Sequence, residues 1–290
     1  MSGVGTASRA AFGEEAAAVL ARHRALLAKP WQRRAFEIGA PVGLVGLSVF
    51  AIWWLDISFA QIWPGLGELV KFVRLMIPPS AGGHLQLFLR AMGETLAIAF
   101  LGTLIATCLA TPLSLLAAQN TTPSRVLQFA VRRLLDVIRG IDTLIWALVF
   151  VGVVGLGPFA GVLAIAVSDT GSLGKLFSEA IEATSARERE TIVASGGGAW
   201  TGIRFGLVPQ VLPIIAGQIL YFFESNTRSA TIIGIVGAGG IGLQLSEQIR
   251  TYDFDQVAFI VLLILAAVAT IDFVSGKLRS AIIGRRPATA

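Results

Sequence analysis

The sequence predicts an all-α, polytopic membrane protein of about six transmembrane helices, and three observations support that expectation. Hydrophobic residues make up 54% of the chain and charged residues only 14%, whereas a soluble domain carries about a quarter charged. The deficit is gathered into blocks, with no Asp, Glu, Lys or Arg from Thr95 to Ser124 or from Thr143 to Ser168. Crossing a hydrocarbon core takes roughly 20 apolar residues in a helix, so each block is long enough. The third observation is the placement of the cations. Net charge is +5, and the basic residues flank the apolar blocks, which fits positive-inside topology better than a nucleic-acid surface.

Residues 1–36 read as a polar cytoplasmic helix carrying Arg22, Arg24, Arg33 and Arg34. Strong apolar character begins only near Ile38, too late for a cleavable signal, so an uncleaved first span is expected over Ile38–Ile57. Trp53 and Trp54 near its far end are interfacial anchors. The span and an extracytoplasmic segment occupy 37–90, where Pro64 and Pro78-Pro79 interrupt any continuous helix. A transmembrane domain follows over 91–280. Its first span, Glu94–Ala118, places Gly102, Thr103, Ala106, Ala110 and Ser114 at spacings of three and four, which lets neighbouring helices approach closely. Asn120–Arg139 sets four arginines against Asp136 and reads as a cytoplasmic loop. The uncharged block from Thr143 forms one span or two. Gly155-Leu156-Gly157-Pro158 is a turn signal and favours two, Gly140–Val154 and Pro158–Glu182. A polar loop, 184–204, precedes a span over Phe205–Phe223, a glycine-rich stretch Ile232–Gly242, a last span Val257–Val274 and a tail, 281–290. Both termini and the loops 120–139 and 184–204 fall on one basic, cytoplasmic side of a plasma (inner) membrane.

Several chemistries are disfavoured by the residues. Both histidines, His23 and His84, lie outside the apolar blocks, and Cys108 has no His or acid within its block, so an intramembrane protease or thiol enzyme lacks its base. No cluster of His, Cys or Glu offers a metal site, and no cofactor is expected. Gly237-Ala238-Gly239-Gly240-Ile241-Gly242 satisfies G-x-G-x-x-G but lies between apolar segments, with Val261-Leu262-Leu263 where a dinucleotide site needs an acid. Irregular backbone at membrane depth is tolerated only against protein or water, so Gly237, Gly239 and Gly240 are candidates for a pathway or its gate. Gly171-Ser172-Leu173-Gly174-Lys175 is two residues short of a nucleotide-binding P-loop between its glycines, so the chain is not expected to hydrolyse ATP.

The remaining polar residues of the spans are candidate pathway groups. Asp169 is the most embedded acid, and pairing with a cation (Arg139, Lys175 or Arg228) is expected of it. Glu224 and Arg228 stand four apart in the acid-first order. They are either an interfacial ion pair or, with Asn226, a set whose donors meet a passing oxyanion. In the 184–204 loop, a charged helix around Arg187–Glu190 should end at Gly196-Gly197-Gly198 and a second short helix, Ala199–Arg204, lead back toward Pro209. Such a hairpin is either a docking knob or a merely solvated loop.

That loop resembles the signature of bacterial ATP-binding-cassette importer permeases: Glu-Ala-Ala, three residues, Gly, nine residues, Ile, any residue, Leu-Pro. Glu190, Gly196 and Pro209 fall on the spacing, while Thr191 and Ile192 replace the alanines, Gly206 the Ile and Val208 the Leu. Phe223–Gly242, Ser178–Ala183 and Val208–Pro213 are similar to phosphonate-importer permeases, and the similarity runs from about Glu94 to Ser280. The resemblance implies the permease fold of methionine-type importers and a dimer with a second copy or paralogue. It also implies two ATPase subunits docked on the loop through Glu190, Ala194, Gly196, Gly197, Gly198 and Pro209, and an extracytoplasmic substrate-binding protein. The cargo implied is a phosphonate or a related phosphorus oxyanion such as phosphite; another small solute, an amino acid or inorganic anion, is the alternative.

Overall fold

The computed structural model describes residues 31–185, 187, 191–192 and 194–283. Glu190, the stretch 1–30 and the tail from 284 therefore lie outside the described residues. The chain divides between Val70 and Lys71. In the first unit, helix α1 (Trp31–Trp54) contains the apolar stretch Gly39–Trp54, which is shorter than a straight crossing takes. Helix α2 (Phe59–Leu75) runs across the division and holds Pro64 inside it rather than ending there.

The second unit contains helices α3 (Leu85–Ala117), α4 (Arg125–Arg139), α5 (Thr143–Val154) and α6 (Pro158–Glu182). They are followed by α7 (Ala199–Gly202), α8 (Val208–Ile233), α9 (Ile241–Thr251) and α10 (Phe254–Ile283). Four stretches, centred on α3, α6, α8 and α10, are long and apolar enough to cross a membrane, and α4 with α5, bent by 84°, makes a fifth if the pair is one broken span. That is four or five by length and composition, not counting the shorter apolar stretch of α1, against the six expected.

Two expectations are corrected here. Asn120–Arg139 is no simple loop. Ser124 caps a helix by accepting from the Leu127 amide at 3.4 Å, and α4 then packs Val131 and Leu135 against Ala117 of α3. Its arginines had masked that apolar side. The span starting at Phe205 does not stop at Phe223 either; α8 runs to Ile233. A hydropathy window ends at Glu224 and Arg228, but these charges pair with each other, and Thr227 donates its hydroxyl back to the Phe223 carbonyl, so the helix continues. The uncharged block from Thr143 forms two helices, parted at Gly155–Gly157, where both glycines have positive φ.

Helix α6 is the centre of this unit, packing on α3, α4, α5 and α8. The small residues foreseen in α3 permit that approach: a Cβ on Gly102 would stand 2.6 Å from Ile165 Cγ2. Ala106 and Ala110 close directly on Leu173 and Phe177. Contacts of this kind replace the hydrophobic drive that lipid does not supply.

At the end nearest the 184–204 loop, Glu182 accepts from the Gln119 amide at 2.6 Å and from Arg132 Nη2 at 2.5 Å. Arg132 Nε donates to the Ala117 carbonyl at 2.9 Å. One carboxylate thus ties α3, α4 and α6 together. Removing a partner of such a charge-assisted group costs about 1–3 kcal/mol. Glu182→Ala should therefore lower the detergent-solubilised protein's unfolding temperature by several degrees, with Glu182→Gln falling between it and wild type; an unchanged transition in both would show the tie to be idle.

Candidate functional site

About midway along α3 and α6, three polar side chains meet in an otherwise apolar interior. Asn226 of α8 donates through Nδ2 to Asp169 Oδ2 at 2.5 Å and to Thr103 Oγ1 at 2.8 Å. Thr103 passes its own hydroxyl hydrogen to the Ala99 carbonyl at 2.7 Å. All three are buried, Asp169 at 6% exposed. The sequence brings them together because each falls on the face its helix turns inward: Thr103 in the small-residue stripe, Asp169 between Ser168 and Thr170, Asn226 beside Thr227. The expected cation beside Asp169 is not found. Among the described residues Asp169 meets an amide instead, because Lys175 Nζ bonds Asp136 Oδ1 at 2.8 Å and Arg228 turns to other acids.

Those acids form a second group, between α8 and α10. Arg228 Nη1 lies 3.7 Å from Glu224 Oε1 and 3.6 Å from Asp272 Oδ1, while Arg279 Nη2 lies 3.3 Å from Glu224 Oε2. The expected Glu224–Arg228 pair is present, enlarged by two residues the sequence did not single out. Asp272 and Arg279 sit in an apolar final span, where spacing along one helix says nothing of a partner on another. Arg228 and Asp272 are each 45% exposed. Half-exposed ionised groups on helices of this composition require water or protein opposite them rather than lipid.

The glycines of Ile232–Gly242 shape the end of α8 distal to the loop. In and just after a wide turn over Gly234–Ala238, Gly237, Gly239 and Gly240 adopt φ of 98°, 83° and 71°, the left-handed region that only glycine enters freely. Gly157 N donates to the Gly237 carbonyl at 2.9 Å, and Thr95 Oγ1 accepts from the Ile241 amide at 2.8 Å, capping α9. A Cβ on Gly239 would lie 2.8 Å from Pro158 N. This is irregular backbone sealed against the α5–α6 turn and α3.

At the opposite end, residues 187, 191–192 and 194 are helical, and the turn closes at Gly196 with φ of 93° as the Gly197 amide donates to the Ile192 carbonyl at 3.0 Å. Ala194 stands in the last turn of that helix, and Gly198 begins the link to α7. A wide turn, Ile203–Leu207, follows α7, and Pro209 lies in the first turn of α8. Leu207 and Val211 anchor the return by packing on Ala118, Ala180 and Ile181. Trp200 stands 78% exposed on the hairpin, a residue the sequence reading passed over. An exposed indole on a short helix is the signal that would have marked it.

Apolar helices long enough to cross a membrane, a polar cluster between them and a hairpin at one end make this a polytopic membrane component. The chain belongs to the binding-protein-dependent transport system inner membrane component family, which residues 110–284 match. It is 40% identical over 242 residues to the putative phosphite transport system permease protein HtxC of Stutzerimonas stutzeri, covering 83% of this chain and 86% of that one. It is 34% identical to the phosphite transport system permease protein PtxC of the same organism, over 86% of this chain and 90% of that one. The phosphate-import permease protein PhnE of Mycolicibacterium smegmatis is 36% identical over 88% of this chain, which spans only 48% of that protein. Among solved structures, the inward-facing MetNI methionine ABC transporter superposes with a TM-score of 0.62 at 20% identity, over 70% of this chain and 99% of that one. An amino acid ABC transporter follows at 0.57 and 18%, over 74% and 97%. The methionine-type permease fold is thus the fold observed.

Proposed function

We propose that this chain is the membrane permease of an ATP-driven importer for a phosphorus oxyanion, phosphonate or phosphite. The observation that carries the cargo is that relatives matching more than four fifths of the chain are named for phosphite transport. One relative is named for phosphate import, which favours an inorganic anion of the same shape as the second reading. Two copies, or this chain and a paralogue, would bound the pathway, with an extracytoplasmic binding protein delivering cargo and two ATPase subunits gripping the 184–204 hairpins. The termini and hairpin would face the cytoplasm.

In this reading Glu190, Ala194, Gly196, Gly197, Gly198 and Pro209 shape the part the ATPase holds. Closure of the ATPase pair pulls the hairpin, and Leu207 and Val211 carry that pull into α3 and α6. Asp169, midway along α6, and Asn226, in the last third of α8, pin the two helices together, Glu224 and Arg228 line the pathway, and Gly237, Gly239 and Gly240 form the gate at the far end. Only a ligand with different affinity for two states can drive such a switch, and that ligand is ATP on the partner subunit.

Vesicles holding the complete importer, given labelled phosphite, methylphosphonate, phosphate or methionine, test the assignment. Uptake of the phosphorus oxyanions and not of methionine is expected. Methionine uptake without any oxyanion uptake would overturn the cargo.

A further inference from the structure

Helix α4 divides lengthwise into three rows, and one of them meets the protein. Val131 and Leu135 pack on Ala117 of α3, while Arg132 and Asp136 bond to Glu182 and Lys175 of α6. A second row holds Val126, Ala130, Leu134 and Val137, three or four apart and so on one side of the helix. All four are exposed, Val126 by 80% and Val137 by 65%. The third row, also exposed, is Arg125, Phe129 and Arg133, with the Arg133 guanidinium over the Phe129 ring at 5.3 Å. Arg125 stands in the first turn of α4, where the helix dipole disfavours a cation. Its charge therefore does not serve the helix itself.

We propose that α4 lies in the membrane surface at the hairpin end of the domain and binds anionic phospholipid. Acyl chains cover the row from Val126 to Val137, and headgroup phosphates meet Arg125 and Arg133. Helix α5 has no charged residue and belongs in hydrocarbon, and α4 is turned 84° from it, close to the bilayer plane. In that attitude each row faces its own medium: protein, acyl chains or headgroups. A basic amphipathic helix so placed is held by its buried apolar area and by attraction to anionic lipid. Each arginine near such a surface is worth about fivefold in lipid preference. Water opposite the second row would leave three large apolar side chains wet. A second copy laid on it by two-fold symmetry would set its own arginines beside these, a like-charge contact. Lipid suits both rows, whatever solute the protein moves.

Site-directed labels on the full chain test the placement, in vesicles of equal parts phosphatidylcholine and phosphatidylglycerol and a Cys108→Ser background. Nitroxides at Ala130→Cys and Leu134→Cys should be relaxed by oxygen more than by a water-soluble nickel complex, and one at Arg125→Cys should show the reverse. A fluorophore at Ala130→Cys should be quenched by brominated phosphatidylglycerol in preference to brominated phosphatidylcholine. Arg125→Gln should cut that preference about fivefold, and adding Arg133→Gln should abolish it. Inorganic phosphate should weaken it no more than chloride at the same ionic strength, by screening alone. Nickel relaxing all three nitroxides would put the helix in water. If neither reagent reached positions 130 and 134, a second copy or another subunit would be covering that row. Equal quenching by the two lipids, or a preference unchanged in the doubly substituted protein, would remove the anionic headgroup. Displacement by phosphate beyond that by chloride would make the arginines a site for a free anion. Each of these four results overturns the proposal.

Discussion

Asn226→Leu is expected to abolish uptake and destabilise the helical domain by about 1.5–3 kcal/mol, the contribution of a buried hydrogen bond to a carboxylate. Leucine keeps asparagine's branching and number of heavy side-chain atoms, so the loss is mainly one of chemistry rather than shape. Asp169 accepts a hydrogen bond from the Asn226 amide, and the other hydrogen of that amide satisfies Thr103. With the amide gone, the cations Lys175 and Arg228 are already committed, Lys175 to Asp136 and Arg228 to Glu224 and Asp272. Two further variants separate a polar tie from a simple packing site. Asp169→Asn keeps an acceptor for the Asn226 amide and should cost far less. Asp169→Leu combined with Asn226→Leu should recover part of the loss, since replacing both partners by apolar groups is often nearly neutral. Chemical unfolding in detergent reads all four proteins, and an Asn226→Leu transition within about 1 kcal/mol of wild type, below the usual cost of a lost charge-assisted bond, would mean the cluster does not hold the helices together.

The spans were legible because bilayer thickness imposes a length that composition reveals directly. The break at Gly155–Gly157 was legible too, because positive φ at glycine followed by proline is local chemistry. What escaped was whatever depends on two helices at once. Asp169 was matched to cations because a sequence shows which charges exist, not which are taken. Its amide partner lay 57 positions away, and Thr103 had been read only as a small packing residue. Arg279 and Asp272 escaped for the same reason, being isolated charges in an apolar helix until α8 is laid beside them. The arginines of α4 misled in the opposite direction, hiding a packed helix behind a basic loop.

The hairpin carries the second large effect, because a small change there should silence transport without unfolding the domain. Gly197 meets the end of the preceding helix so closely that an added Cβ would lie 2.7 Å from the Ile192 carbonyl oxygen. Gly197→Ala must therefore shift the angle between the two helical arms. Gly196→Ala has open space around it but forces a φ of 93°, which costs an L-residue roughly 1–2 kcal/mol. Both variants should insert and bind lipid-embedded partners as wild type does, since the anchoring residues Leu207 and Val211 are untouched. ATP hydrolysis stimulated by the binding protein should nevertheless fall at least about tenfold, equivalent to about 1.4 kcal/mol of lost coupling. A Trp200→Cys variant in a Cys108→Ser background locates the same surface, since Trp200 is 78% exposed and Cys108 is the chain's one cysteine. Its thiol should react with membrane-impermeant maleimide only after the cytoplasmic face is opened. Labelling of intact cells from outside, or full stimulated hydrolysis in both glycine variants, would mean that no motor grips this hairpin.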